Sequence, residues 1–186
     1  MIQDKWTNTL NSEPLFLITG EFKKISTLKN KLKNALFYKH KVLVLRVKNN
    51  EVDIDQALSV TTKFCKKNNI PLILNIPNKF KLKADGYHLQ AKELNDRISF
   101  LPNKILGASC HNRQELLLAK ELGCDYVFLS PILKKNGSAT LGWEKFFELK
   151  NDFPDMNIIP LGGMSEKNSM QNSFAGISHW WDLQSL

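Results

Sequence analysis

ILGASCHNRQELLLAKELGCDYVFLSPILKKNGSATLGW, residues 105–143, contains one complete strand–helix–strand unit followed by a polar loop. Residues 105–109 are a short apolar run. Asn112 and Glu115 then have the spacing of a helix cap, in which the Asn side chain takes a free N–H and Glu115 reaches back. Leu116, Ala119 and Leu122 recur at helical spacing, and Gly123 suits a left-handed stop. Residues 126–129 read as a second buried strand. A strand, a capped helix and a strand within about thirty residues make a βαβ unit, whose two strands run parallel. Ser109, His111, Ser130 and the polar residues 134–138 all fall just past strand C-termini, where parallel α/β folds place their sites.

The rest of the chain repeats this alternation. PLFLIT (14–19) is a continuous apolar run, as expected of a strand covered on both faces. Ile25, Leu28, Leu32, Ala35 and Leu36 mark one helix face. Residues 42–45 form the second strand, which ends in Arg46-Val47-Lys48. Asp53 opens a helix with Ile54, Ala57, Leu58, Thr61 and Phe64 on its apolar face, and 71–75 is the third strand. Residues 76–85 leave space for a turn or two of helix before the fourth strand, 86–89, and 90–94 is equally short. After the central unit, Trp143, Phe146 and Phe147 share a face within 142–150, and 157–161 is the seventh strand. Ser165 is expected to cap another helix, and 174–177 to form the eighth strand. The two tryptophans within 178–186 should cover the bottom or side of the core. Eight short strands alternating with helices predict an α/β protein, a single compact (β/α)8 TIM barrel with some shortened helices. The structural alternative is a doubly wound open sheet. With no linker and no internal repeat, one domain is expected: a barrel over 14–186 behind an N-terminal extension, 1–13.

With 186 residues, 42% hydrophobic and 24% charged, the chain suits one globular core. The first dozen residues lack the apolar block of a signal peptide, and no segment approaches the length of a membrane span. Three cysteines without metal-ligand spacing read as reduced thiols, so a cytoplasmic location and no membrane partner are expected. The net charge of +8 comes mostly from dispersed lysines, with arginine only at positions 46, 97 and 113. Without a basic block, aromatic interleaving or a nucleic-acid module, it suits anionic phosphates better than nucleic acid.

Several positions are placed for chemistry. Gly162-Gly163 after strand seven and Ile177-Ser178 after strand eight match a barrel phosphate site, because glycines let backbone N–H groups approach an anion. A bare Gly-Gly is also compatible with a plain turn. Arg46 and Lys48, two apart, face the same way, and two cations in a barrel mouth are costly unless an anion lies between them. The plainer reading has Lys48 reaching to solvent. Ser109 and His111 share a face with Cys110 opposite, which speaks against a Cys110–His111 dyad and suits ligand hydrogen bonds or a structural His equally. Nothing in the spacing of His88, His111 and His179 demands a metal.

LFLIT, VLVLRVK, LILN, ADGYHL, GASCHNRQEL, DYVFLSPIL, LGW and IIPLGGM, in this order over about residues 14–181, resemble the thiamine-phosphate synthase/TenI family of small TIM barrels. The resemblance is strongest to the TenI-like domains that often follow a Nudix hydrolase in one polypeptide. It implies a phosphorylated small-molecule ligand and, as partners, a second copy of the chain or a Nudix hydrolase. The family's synthase is a transferase that joins an aminopyrimidine pyrophosphate to a thiazole phosphate with Mg²⁺. By resemblance, Arg46 and Lys48 correspond to the pair that holds the pyrophosphate. Asn75 corresponds to the Asn of an Asn-Asp pair, Ser109 to the Ser that precedes the family's His (here His111), and Gly163 with Ser178 to the thiazole-phosphate site. Lys134 and Lys135 remain from a shortened Thr/Lys-rich loop. The departures fall on the metal side and the pyrimidine side. The Asp of the Asn-Asp pair is Ile76, and an Asp at 76 is expected to restore a hard oxygen beside Asn75. Glu93 stands for the second metal-side Asp, Val44 for a Gln, and Pro131 for the His of the related thiazole tautomerase. Two function classes follow: a divergent synthase, or a non-catalytic phosphate-ligand-binding or accessory protein.

Overall fold

The computed structural model describes residues 8–47, 52–96, 103–133 and 139–183. Eight strands run in chain order: β1 Leu15–Ile18, β2 Lys41–Arg46, β3 Leu72–Asn75, β4 Gly86–Leu89, β5 Ile105–Cys110, β6 Tyr126–Leu129, β7 Ile158–Pro160 and β8 Ala175–Gly176. Each pairs in parallel with its sequence neighbour from β1 to β7, and β8 pairs with β1. A parallel bridge between Leu161 and Ala175 joins the β7 end to β8 and closes the ring. The fold is therefore a TIM barrel, and the open-sheet alternative falls.

Strand alternation sorts the core into layers. Phe16, Ile18, Val42, Val44, Ile73, Ile105, Tyr126, Phe128 and Ile159 point inward and pack together. Residues 8–11 are helical, and Leu10 packs onto this inner layer. Outward-facing residues pack against the helices α1 Ile25–Leu32, α2 Ile54–Lys67, α3 Arg113–Glu121 and α4 Gly142–Asp152. Asp53 caps α2 by accepting the Gln56 N–H, and Asn112 caps α3 by accepting the Glu115 N–H. Gly123, at φ +70°, ends the α3 turn in the left-handed region.

The short connections are 3₁₀ turns, Lys79–Lys81 between β3 and β4 and Ala91–Glu93 after β4. Neither segment has enough apolar residues to support a longer amphipathic helix. One expected helix is missing. Ser165 does not cap a helix; residues 166–168 form a turn in which Asn168 accepts the Ser165 N–H. The following residues are polar, and Met170 is exposed, so no apolar face is available to anchor a helix there. The strand read at 174–177 shortens to two residues because Ile177 already has helical φ and ψ and precedes α5, Ser178–Trp181. Trp180 and Trp181 cover the side of the core, and the Trp180 indole N–H donates to the Ile18 carbonyl at the end of β1.

Candidate functional site at the barrel mouth

At the C-terminal ends of the strands a cavity of about 680 Å³ opens, with Ile18, Phe128, Leu161 and Ile177 as its apolar lining. Its polar wall brings together Arg46 from β2, Asn75 from β3, His88 from β4, Ser109 from β5 and His111 and Ser130 beyond β5 and β6. A second cavity of about 460 Å³ adjoins it and shares Arg46, Val47 and Ile177. Arg46 thus stands between two concave spaces.

Hydrogen bonds hold Arg46 and His111 in place. Thr19, just past β1, donates its hydroxyl to the Arg46 carbonyl at 3.0 Å and accepts the Arg46 N–H at 2.8 Å, which ties the end of β1 to the end of β2. Burial lowers the Arg46 pKa, and Glu21 opposes that shift. Asn75 is only 8% exposed, and its Oδ1 is the one buried side-chain oxygen or nitrogen without a partner among the described residues. An unpaired buried acceptor costs about 1–3 kcal/mol, so it marks a place where a donor or cation is favoured.

His111 is fixed by the helix that follows it. Glu115, beyond the α3 cap, accepts the His111 N–H at 2.6 Å. The Nδ1 of His111 lies 2.7 Å from the Ser130 carbonyl, an acceptor, so Nδ1 carries a proton and Nε2 is left for the cavity. Cys110, between Ser109 and His111, is buried in the outer layer, and burial raises its thiol pKa to about 12. A Cys110–His111 dyad is absent, as the alternation of the strand requires.

His88 was read from sequence only as one of three dispersed histidines. It is fully buried, with Nε2 2.9 Å from Ser109 Oγ and Nδ1 3.0 Å from the Tyr126 hydroxyl. Burial, with Lys79 and Arg46 nearby, drives its pKa down to about 3, so the ring is neutral. The side chain of His179 lies outside the described residues.

The carboxylate of Glu93 faces Lys79. Its two oxygens lie 2.6 and 2.8 Å from the Lys79 ammonium, and Oε2 also accepts the Gln90 N–H at 2.6 Å. Neither Glu93 nor Lys79 lines the cavity. Ile76 is buried in the layer between sheet and helices, with Leu74, Val47 and Ala57. Val44 is in the inner layer.

Gly162 and Gly163, with φ of +104° and +69°, turn the chain after β7. A Cβ at Gly162 would meet Pro131 at 3.0 Å, and one at Gly163 would meet Leu133 at 3.1 Å. The glycines thus let the loop after β6 pack closely on this turn. Ile177 lines the cavity, whereas Gly162, Gly163 and Ser178 do not. Lys48, Lys134 and Lys135 lie outside the described residues.

The family model described as thiamine monophosphate synthase matches residues 15–180. The chain belongs to this family. Among curated relatives, the thiamine-phosphate synthase of Vibrio campbellii is 29% identical over 179 residues, 90% of this chain and 87% of that protein. Thiamine-phosphate synthase 1 of Streptococcus pneumoniae serotype 4 is 31% identical over 114 residues, 57% of this chain and 54% of that one. Among solved structures, a thiamine phosphate pyrophosphorylase from Bacteroides thetaiotaomicron superposes with a TM-score of 0.60 at 20% identity, covering 91% of this chain and 85% of that one. That likeness bears on the fold alone. Among the described residues no helix is long and apolar enough to cross a membrane.

Sequence reading missed the supporting contacts of Thr19, Tyr126 and His88 behind this site, and the Lys79–Glu93 pair outside the cavity. The available signal was Gly107. A glycine in mid-strand between two polar inward positions of neighbouring strands indicates a close approach of side chains across it.

Proposed function

We propose that the mouth cavity binds a phosphorylated thiamine precursor, with Arg46 as the anchoring cation and Lys48, Lys134 and Lys135 adding positive charge. Asn75, Ser109 and His111 orient the ligand, and the turn at Gly162 and Gly163 with Ile177 and Ser178 receives its second phosphate-bearing half. The observation that carries this reading is the convergence of Arg46, Ser109, His111 and the unpartnered Asn75 Oδ1 on one cavity. Membership of the family supports the choice of ligand class.

The residues present do not fit a resident Mg²⁺. A hard cation bound against a pyrophosphate needs carboxylate oxygens, and among the described residues none lines this cavity. Ile76 faces the helices, and both Glu93 oxygens accept from Lys79. Asn75, Ser109 and Ser130 would supply only neutral oxygens. If the chain transfers the pyrimidine, departure of the pyrophosphate relies on Arg46, a positive charge on the cavity wall where negative charge develops. A second reading, a binding protein without turnover, is favoured by the Lys79–Glu93 pairing.

Both readings share the binding step and differ in turnover. Calorimetric titration of the aminopyrimidine pyrophosphate and of the thiazole phosphate, with a product assay for thiamine phosphate, separates them. Binding with little or no product is expected. Failure of both ligands to bind would refute the reading of the site.

A further inference from the structure

His88, Gly107 and Tyr126 are in register across three neighbouring strands, β4, β5 and β6. All three are inward positions. The central residue has no side chain, and a Cβ there would lie 2.0 Å from Tyr126 Cζ and 2.4 Å from its hydroxyl. The gap lets the phenol cross β5 and meet His88 Nδ1, while the other ring nitrogen meets Ser109 Oγ, one layer nearer the mouth.

We infer that Tyr126 and His88 are positioning residues that fix the proton of Ser109, so that its hydroxyl donates into the cavity to an anionic ligand oxygen. Two proton arrangements fit the distances. In the first, the Tyr126 O–H donates to Nδ1, His88 carries its proton on Nε2 and donates to Ser109 Oγ, and the Ser109 O–H is free to donate elsewhere. In the second, Nδ1–H donates to the Tyr126 oxygen and Ser109 donates to Nε2. The second leaves the Tyr126 proton in the inner layer among Phe16, Phe128 and the His88 ring, with no acceptor besides His88 among the described residues. A buried donor without an acceptor costs about 1–3 kcal/mol, which selects the first arrangement. Burial raises the Tyr126 pKa well above its ordinary value, so the phenol keeps its proton to donate. The neutral state of His88 is consistent with this: an imidazolium would donate to both neighbours and strand the phenol proton.

The inference rests on the proposed reading of the cavity as an anion site, and the two are separable by experiment. Long-range ¹H–¹⁵N spectra of the full chain report the His88 tautomer without any ligand. The proton is expected on Nε2, and an Nδ1–H tautomer would overturn the inference. Titration with inorganic phosphate tests the consequence. Ser109→Ala should weaken binding by about tenfold, the size of a hydrogen bond to a charged group. Tyr126→Phe keeps the ring packing, frees the tautomer and should weaken binding by about threefold by lowering the fraction of outward-pointing hydroxyls. In the Ser109→Ala background Tyr126→Phe should have no further effect. An equal loss in both backgrounds would show that Tyr126 acts on packing alone and would overturn the inference. A wild-type chain that binds no phosphate despite the Nε2–H tautomer would refute the site reading, and with it the role of the Ser109 proton.

Discussion

The Lys79 ammonium lies 2.6 Å from Glu93 Oε1, and the lysine is 2% exposed while the glutamate is 24% exposed. The two charges have unequal access to water, so removing either one has a different cost. Glu93→Gln leaves a buried ammonium without its counter-charge and should destabilise the fold by about 3–5 kcal/mol. Lys79→Met leaves a carboxylate that can still reach water and keeps the Gln90 N–H, so its cost should be clearly smaller. Urea denaturation of the two variants checks the order.

His88 gives the fold a defined pH dependence. Its pKa falls from 6.5 to about 3 on folding, so between these values the unfolded chain binds a proton that the folded chain does not. Stability should therefore rise with pH through this window, by up to about 1.4 kcal/mol per unit, and level off above about pH 6.5. Denaturation midpoints measured from pH 4 to 8, compared with His88→Gln, isolate the contribution. The variant should lose this part of the slope.

Ile76→Asp tests the missing metal ligand. The sequence suggests that an aspartate here would stand beside Asn75 and hold a cation. The fold turns position 76 into the apolar layer with Val47 and Ala57, away from the cavity. The substitution should cost about 2–4 kcal/mol through carboxylate burial and should leave Mg²⁺ affinity unchanged. Thermal unfolding with and without Mg²⁺ measures both effects.

The parts of the fold that were legible depend on patterns within about five residues. VLVLR, LILN and YVFL read as strands because both faces of a barrel strand are covered, and the Asn112–Glu115 cap is a local spacing. Ser165 misled because a capping residue needs an apolar face downstream, and Met170 does not supply one. Arg46, Ser109 and His111 were legible from strand ends and strand parity, whereas Asn75 was reached only through the family resemblance. The Lys79–Glu93 pair was not legible, since two charges fourteen residues apart in short connections look like solvated surface. The His88–Tyr126 contact was likewise hidden: a tyrosine opening a buried strand reads as core, and only three-strand register brings the two rings together across Gly107.

The central claim is that this mouth binds a phosphorylated precursor through fixed protein charges, with no resident metal. The most direct test is calorimetric titration of the aminopyrimidine pyrophosphate into the chain in EDTA, in Mg²⁺, and with Arg46→Ala. Binding in EDTA that changes little with Mg²⁺ and falls at least about tenfold in Arg46→Ala is the expected result. Binding that requires Mg²⁺, or that is indifferent to the loss of Arg46, would contradict it.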